Sequence, residues 1–237
     1  TAMVRRDHAE TVAAALFDGA GCTPWRMGGR TAVLRFPCGD AFGVLRRYRR
    51  GGLAAHVWPR NWFLLNNRPK QEFEAHRAAE TAGLPVVPLL GAVWRRRGPF
   101  VRGAIATAAV DAPTLQQALA GAGDPGAVLR RVGALARRMH DAGVLHADFQ
   151  IRNILMGPSG PLLLDFDKAR TGATPGRVAR SRTLFRFRRS LEKNGFAAPG
   201  NFEALLRGYE DLSPPRWLDL AYRVKGACSD VFSRRRP

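Results

Sequence analysis

The chain has 237 residues, 46% of them hydrophobic, enough to bury one substantial core or two small lobes. Its 38 basic residues outnumber 19 acidic ones for a formal charge of +19, and all but four of the basic residues are arginine. Such a field favours anionic partners: nucleic acid, an anionic membrane surface, or a substrate bearing carboxylates and phosphates. A G/C-biased genome would also supply arginine, so charge alone does not choose among them. The longest apolar stretches, such as "GLPVVPLLGAVW" at 83–94, are broken by prolines and fall short of a spanning helix. The first residues contain no secretory apolar run, and Cys22, Cys38 and Cys228 lie far apart with no metal-ligand spacing. A reducing cytosol is the expectation.

In chain order, "TAVLRF" at 31–36 and "AFGVLRRY" at 41–48 flank a turn with Gly39 and Asp40, which predicts a β-hairpin preceded by "MGGR". After "WPRNWFLLNN", a helix is expected from Pro69, suited to a first turn, to a stop at Gly83. Alternating apolar runs from 84 to 110 give one or two more strands, up to a hinge at "DAP". Residues 1–112 thus read as a small sheet-rich lobe and 113–237 as a second, mainly helical one. The second opens with a short helix at Thr114, whose spacing to Gln117 fits a capping box. A longer helix follows, capped by Asp124, with Val128, Val132, Leu135 and Met139 as its apolar stripe and Gly143 as its end. "ILM" at 154–156 and "LLLDF" at 162–166 then read as two apolar strands joined by "GPSG", and beyond Arg177 the chain turns helical, with further starts at Asn201 and Ser213.

The stretch "HADFQIRN" at 146–153 leads into the first of those two strands. If they pair as a hairpin, Asn153 at the entry of one and Asp165 at the exit of the other come to the same end. An amide oxygen and a carboxylate suit Mg²⁺, which takes few protein ligands and completes its shell with phosphate oxygens and water. Asp148, upstream on the loop, would accept the proton of an acceptor hydroxyl in line with the terminal phosphate of ATP. The spacing His-x-Asp-x-x-x-x-Asn, a strand, a turn, a strand and "DF" is the kinase catalytic-loop arrangement. The plain alternative is a set of loop-capping and strand-end residues. His146 reads as a brace of the loop rather than a reacting group.

A kinase also needs a glycine-bearing turn over the phosphates, a cation on them and a carboxylate holding that cation. Gly28 and Gly29 precede the first hairpin strand, though two glycines alone are as often a simple turn. In "GVLRRY" the alternation puts Val44, Arg46 and Tyr48 on one face. Arg46 is the phosphate cation if that face is turned inward, in place of the usual lysine, and Arg47 if it is not. Glu72 or Glu74 on the following helix is its partner, with Glu72 preferred.

Together "LRRYRRGGL" at 45–53, "GLPVV" at 83–87, "HADFQIRNIL" at 146–155, "LLLDFDKAR" at 162–170, "RFRRSLEK" at 186–193 and "LLRGY" at 205–209 resemble the Kdo kinase family, the 3-deoxy-D-manno-octulosonic acid kinases of the lipopolysaccharide kinase group. The resemblance spans about Trp25 to Tyr209. It implies an α+β fold of protein-kinase type with two lobes, and use of ATP and Mg²⁺ to phosphorylate the 4-hydroxyl of Kdo on lipid A at the cytoplasmic face of the bacterial inner membrane. By motif match it implies Asp148 as catalytic base, Asn153 and Asp165 as metal ligands, and Arg46 with Glu72 on the phosphate side. The triplet that ends in Gly in protein kinases is "DFD" here, and no "APE" anchor follows, so a protein acceptor is not expected. Asp167 either caps that turn or approaches the acceptor, with Lys168 beside it.

The resemblance also gives the basic charge a use, since Kdo carries a carboxylate, lipid A carries phosphates and the leaflet is anionic. "RSRTLFRFRRSLEKNGF" at 180–196 reads as a basic amphipathic helix whose Leu184, Phe187 and Leu191 pack on the core or dock on lipid. Arg49 and Arg50 in "YRRGG" and the run at 95–97 are further anion-site candidates. Nucleic acid is not expected, because "WPRNWF" is the main place where aromatics interleave with basic residues. An aminoglycoside-type kinase shares the loop logic but gathers acidic residues for a cationic acceptor, against the charge here. The remaining rival is a pseudokinase-like module that binds an anionic membrane or nucleic acid without turnover.

Overall fold

The computed structural model describes residues 1–25, 33–48, 63–64, 66–198 and 200–210, with 63–64 described by backbone alone. The chain divides into two compact units, one of Thr1–Ala112 with Leu162–Ala169, the other of Pro113–Pro161 and the chain from Arg170 onward.

In the first unit, β1 (Ala2–Val4) leads through a short 3-10 turn into α1 (Ala9–Asp18), and β2 (Thr23–Trp25), β3 (Val33–Cys38), β4 (Ala41–Arg47) and β5 (Phe63–Leu64) follow. Next come α2 (Arg68–Thr81), β6 (Leu89–Arg97) and β7 (Phe100–Ala108). The seven strands form one sheet in the order β1-β6-β7-β4-β3-β2, with β5 also on β7 and all pairings antiparallel. The expected hairpin is β3–β4, in the register Leu34 to Leu45 and Cys38 to Ala41.

Because strand side chains alternate, β6 and β7 each feed two cores. Leu45, Val93, Ala104 and Ala106 pack with Phe36 and with Val12, Ala15 and Leu16 of α1. Tyr48, Ala92 and Ile105 face the other way and pack with Phe73 of α2 and with Leu89. Helix α2 starts as its sequence predicts, with Pro69 in the first turn and Asn67 accepting from the Lys70 N–H. Strand β1 and helix α1 are additions to the sequence reading.

The segment 162–169, read from sequence with the second half, packs in the first unit. The Val87 N–H donates to the Leu163 carbonyl at 3.1 Å and the Leu163 N–H to the Pro85 carbonyl at 2.9 Å. The buried Phe166 ring lies 4.6 Å from that of His76, an anchoring burial worth about 2–3 kcal/mol.

The second unit contains α3 (Leu115–Ala120), α4 (Pro125–Asp141), β8 (Val144–Leu145), β9 (Ile154–Gly157), β11 (Arg170–Thr171), α5 (Arg177–Lys193) and α6 (Asn201–Tyr209). The chain leaves this unit along β10 (Gly160–Leu163), the strand with which β9 forms a two-stranded sheet. The capping box of Thr114 and Gln117 and the Asp124 cap are both present. On α4, Val132, Leu135 and Met139 are buried, joined by Leu129 and Ala136, while Val128 sits at the half-buried edge of the stripe. Helices α4 and α6 touch backbone to backbone: a Cβ on Gly133 would lie 2.1 Å from the Leu205 carbonyl oxygen, and one on Gly208 1.9 Å from that of Arg130. Any larger residue at either position forces the pair apart.

One expectation is corrected, and one pair of alternatives is decided for core packing. The second apolar strand is Gly160–Leu163 rather than 162–166, since Asp165 has φ +60° and has left the extended backbone. Leu184, Phe187 and Leu191 of α5 are buried in the core of the second unit, so that stripe has no face to offer a lipid surface. No helix among the described residues is long and apolar enough to cross a membrane. The readings placed on "WPRNWF", Ser213, Cys228 and the C-terminal "SRRRP" lie outside the described residues.

Candidate active site

In the first unit, β4 turns Arg46 toward α2 and Arg47 to the opposite face. Arg46 Nη2 donates to Oε1 of Glu72 and, at 3.1 Å, to Oδ1 of Asp165. The Tyr48 hydroxyl donates to the other Glu72 oxygen, Oε2. Glu72 is 2% exposed, whereas the Glu74 side chain is 54% exposed and pairs with Lys70 on the helix surface. Arg46 and Glu72 are therefore the partners that the structure joins, with Arg47 and Glu74 left outside.

Burial dominates the electrostatics of this cluster. It pushes the Glu72 carboxyl up to about 7, against the downward pull of Arg46 and of the Tyr48 hydrogen bond. It raises the Tyr48 phenol well above its ordinary value, reinforced by the negative charge of Glu72. For Arg46, burial disfavours the cation, but Glu72 and Asp165 together outweigh it and raise the pKa. One guanidinium nitrogen, Nη2, thus bridges the carboxylates of Glu72 and Asp165.

The segment after β10 is held by a second arginine. Arg68 grips Asp167 through Nε to Oδ1 at 3.0 Å and through Nη2 to Oδ2. Asp165 turns at φ +60°, its Oδ1 accepting the Asp167 N–H at 3.3 Å, and Lys168 at φ +61° is exposed. Asp167 is thereby a tied turn residue, and the Tyr48 ring lies 5.1 Å from the Arg46 guanidinium and 5.6 Å from that of Arg68.

In the second unit, the loop from His146 to Asn153 is fixed from within. Buried His146 accepts the Asp148 N–H on Nδ1 at 3.2 Å. Asn153 donates its amide to the Asp148 carbonyl at 2.9 Å, and Gln150 donates to Asp148 Oδ2 at 2.8 Å. With the amide nitrogen of Asn153 spent on the loop, its oxygen is the atom left to bind a cation. That oxygen and the Asp165 carboxylate are donors of the type that hard Mg²⁺ takes. Among the described residues there is no group of three or more His, Cys, Asp and Glu that could hold a metal.

Helix α5 holds the same loop from outside, which sequence reasoning missed. Arg186 donates to the Ala147 carbonyl, Ser190 Oγ accepts the Ile151 N–H at 3.2 Å, and Asn194 Oδ1 accepts from Arg152 at 3.0 Å. The three are four residues apart, one ridge of the helix continued to its C-cap Asn194, and Phe187 beside them packs on Phe149 with ring centroids 5.1 Å apart. Their signal was the i, i+4, i+8 spacing, hidden in a run that reads as mere basic charge. Tyr48 and Arg68 were missed as site residues as well, since their partners lie far away in sequence. Gly28, Gly29, Arg49 and Arg50 lie outside the described residues.

A catalytic-loop sequence on an α+β fold of this kind belongs to phosphotransferases of protein-kinase type. The family model "Lipopolysaccharide kinase (Kdo/WaaP) family" matches residues 25–209, and the chain belongs to that family. It is 30% identical over 201 residues to a 3-deoxy-D-manno-octulosonic acid kinase of Xylella fastidiosa (strain M12), covering 81% of this chain and 80% of the relative. The same name is borne by a Stenotrophomonas maltophilia (strain R551-3) protein, 33% identical with 74% and 72% covered, and by a Vibrio vulnificus (strain YJ016) protein, 31% identical with 70% and 74% covered. Among solved structures, WaaP in complex with acyl carrier protein superposes with a TM-score of 0.62 at 17% identity, covering 99% of this chain and 97% of that one. The kinase-like fold and the phosphotransferase class read from sequence both hold.

Proposed function

We propose that the protein transfers the terminal phosphate of ATP to the 4-hydroxyl of Kdo on Kdo-lipid A, a step of lipopolysaccharide core assembly. The observation that carries this reading is the catalytic loop. Asp148 is exposed at its tip while its backbone is fixed by His146 and Asn153, in a chain of the Kdo/WaaP family whose relatives are named as Kdo kinases.

Asp148 accepts the hydrogen bond of the acceptor hydroxyl, aims its oxygen at the phosphorus and takes the proton as the new bond forms. Gln150 restrains the carboxylate through Oδ2. Arg46 holds the nucleotide phosphates, and Glu72 with Tyr48 keeps its guanidinium in place. By the match to the kinase catalytic-loop arrangement, Asn153 and Asp165 would hold Mg²⁺, which when bound would offset the negative charge of the phosphate oxygens. Asp167, tied to Arg68, keeps the backbone at Asp165 in its turn.

The charge of +19 favours a glycolipid bearing a carboxylate and phosphates over a cationic aminoglycoside. It also favours peripheral attachment to the anionic cytoplasmic face of the inner membrane, through arginine side chains rather than through the apolar stripe of α5. The acceptor is tested by offering labelled ATP and Mg²⁺ with Kdo-lipid A, an aminoglycoside and a generic protein in competition. Label on the 4-hydroxyl of Kdo alone is the expected result. Label on the aminoglycoside or the protein instead refutes the acceptor assignment.

A further inference from the structure

Of the three residues of α5 and its C-cap that hold the catalytic loop, Ser190 is neutral and buried and Asn194 neutral and half-buried, whereas Arg186 is charged and exposed. A backbone carbonyl needs only one donor, and the neighbouring ridge positions are served by a hydroxyl and an amide. A guanidinium at the third has five N–H groups, of which the Ala147 carbonyl takes one. Arg186 makes no ion pair among the described residues, while Arg180 and Arg188 on the same helix are neutralised by Asp141 and Glu192. Among the described residues it is thus a cation with no carboxylate partner, tied to the carbonyl of the residue before Asp148.

Resting on the Kdo kinase reading, we infer that Arg186 is the anion-binding residue of the acceptor site and takes the carboxylate of the sugar being phosphorylated. The tie to Ala147 orients the guanidinium before the acceptor arrives, so little side-chain freedom remains to be lost on binding. Its remaining N–H groups match a carboxylate in the two-pronged manner in which arginine excels. The pairing explains how a loop with a neutral residue between His146 and Asp148, where protein kinases carry arginine, still presents a cation beside its base.

The test compares transfer to Kdo-lipid A with transfer to its carboxyl methyl ester, for wild type, Arg186→Gln and Arg186→Lys. Glutamine keeps a donor for the Ala147 carbonyl and removes the charge, so the loop stays braced. Wild type should prefer the acid over the ester by about tenfold to a hundredfold in kcat/KM, the worth of one charge-assisted contact, expressed in KM for the acceptor. Arg186→Gln should transfer to acid and ester alike, with KM for ATP unchanged, and Arg186→Lys should recover part of the preference. If Arg186→Gln instead retains the preference for the acid while kcat falls equally on both acceptors, Arg186 is only a loop brace and the inference is overturned. If wild type labels neither acceptor, the acceptor reading itself fails and this inference falls with it, an outcome distinct from the brace result.

Discussion

The Arg46 cluster of the first unit and the Asp148 loop of the second are built on opposite electrostatic plans. Around Arg46, charge is held by charge: a cation sits between Glu72 and Asp165, and a second cation holds Asp167. Around Asp148, the base residue itself is held by neutral groups: the His146 imidazole takes its N–H, the Asn153 and Gln150 amides hold its carbonyl and carboxylate, and the carboxylate stays in solvent, while Arg186 grips only the carbonyl before it. The first plan suits a place that meets nucleotide phosphates, where a positive group must be rigid and strongly ionised. The second suits a base, whose carboxylate must be aimed by its backbone yet stay open to the acceptor hydroxyl.

Removing a member of the charged plan should therefore cost most. Glu72→Ala leaves Arg46 short of its buried partner and should lower stability by about 3–5 kcal/mol, readable in chemical denaturation. A loss below 1 kcal/mol would mean that Asp165 alone satisfies the guanidinium. The companion Glu72→Gln should lose less, since an amide oxygen still accepts from Arg46.

The two regions also respond to pH with opposite sign. In the second unit His140 is buried with Nδ1 2.8 Å from the Tyr209 hydroxyl, and burial, aided by Arg180 and opposed by Asp141, pushes its pKa from 6.5 to about 4. Between those values the unfolded chain holds the extra proton. Its contribution is therefore complete above pH 6.5 and is lost as pH falls toward 4, on the order of 3 kcal/mol for the full shift. Glu72, raised from 4.5 to about 7, binds its proton more tightly when folded, so its contribution declines as pH rises across that range. Denaturation from pH 4 to 7 should show His140→Gln losing the acid-side decline and Glu72→Gln losing the opposing one. Unchanged slopes in either variant would mean that the corresponding group titrates alike in both states.

Smaller effects follow within the neutral plan and at its surface. Ser190→Ala strands the buried Ile151 N–H and should cost about 1–3 kcal/mol, with a fall in kcat and little change in KM for ATP. Glu74→Ala removes an exposed pair on α2 and should change stability by less than about 0.5 kcal/mol and activity not at all. An effect of Glu74→Ala as large as that of Glu72→Ala would reverse the distinction between the two glutamates.

The loop was legible because its chemistry lies in one contiguous stretch: His146, Asp148 and Asn153 sit at fixed offsets and close on one another through local hydrogen bonds. The β3–β4 hairpin and α2 were legible for the same local reasons, Gly39 at a turn and Pro69 at a helix start. The choice between Arg46 and Arg47 was not, since it depends on which sheet face α2 covers, and that is set by packing of Phe73 on Tyr48 and Ile105. The allegiance of 162–169 was hidden because it rests on pairing of Leu163 with Pro85 and Val87, far away in sequence. The role of α5 was obscured by its arginines, whose charge reads as a solvated or lipid-facing surface until Arg186, Ser190 and Asn194 are seen to share one ridge. Helix α1 carried an adequate signal, Val12, Ala15 and Leu16 on one face with Gly19 after it, in a stretch with no element assigned from sequence.

The most direct test of the account is single-turnover transfer of labelled phosphate from ATP to Kdo-lipid A by wild type and Asp148→Asn, with ATP binding measured on the same preparations. The account predicts a fall in transfer rate of about 10²–10⁴-fold with ATP affinity preserved, because Asp148 acts on the acceptor and Arg46 on the nucleotide. Transfer by Asp148→Asn at a rate near that of wild type would contradict it.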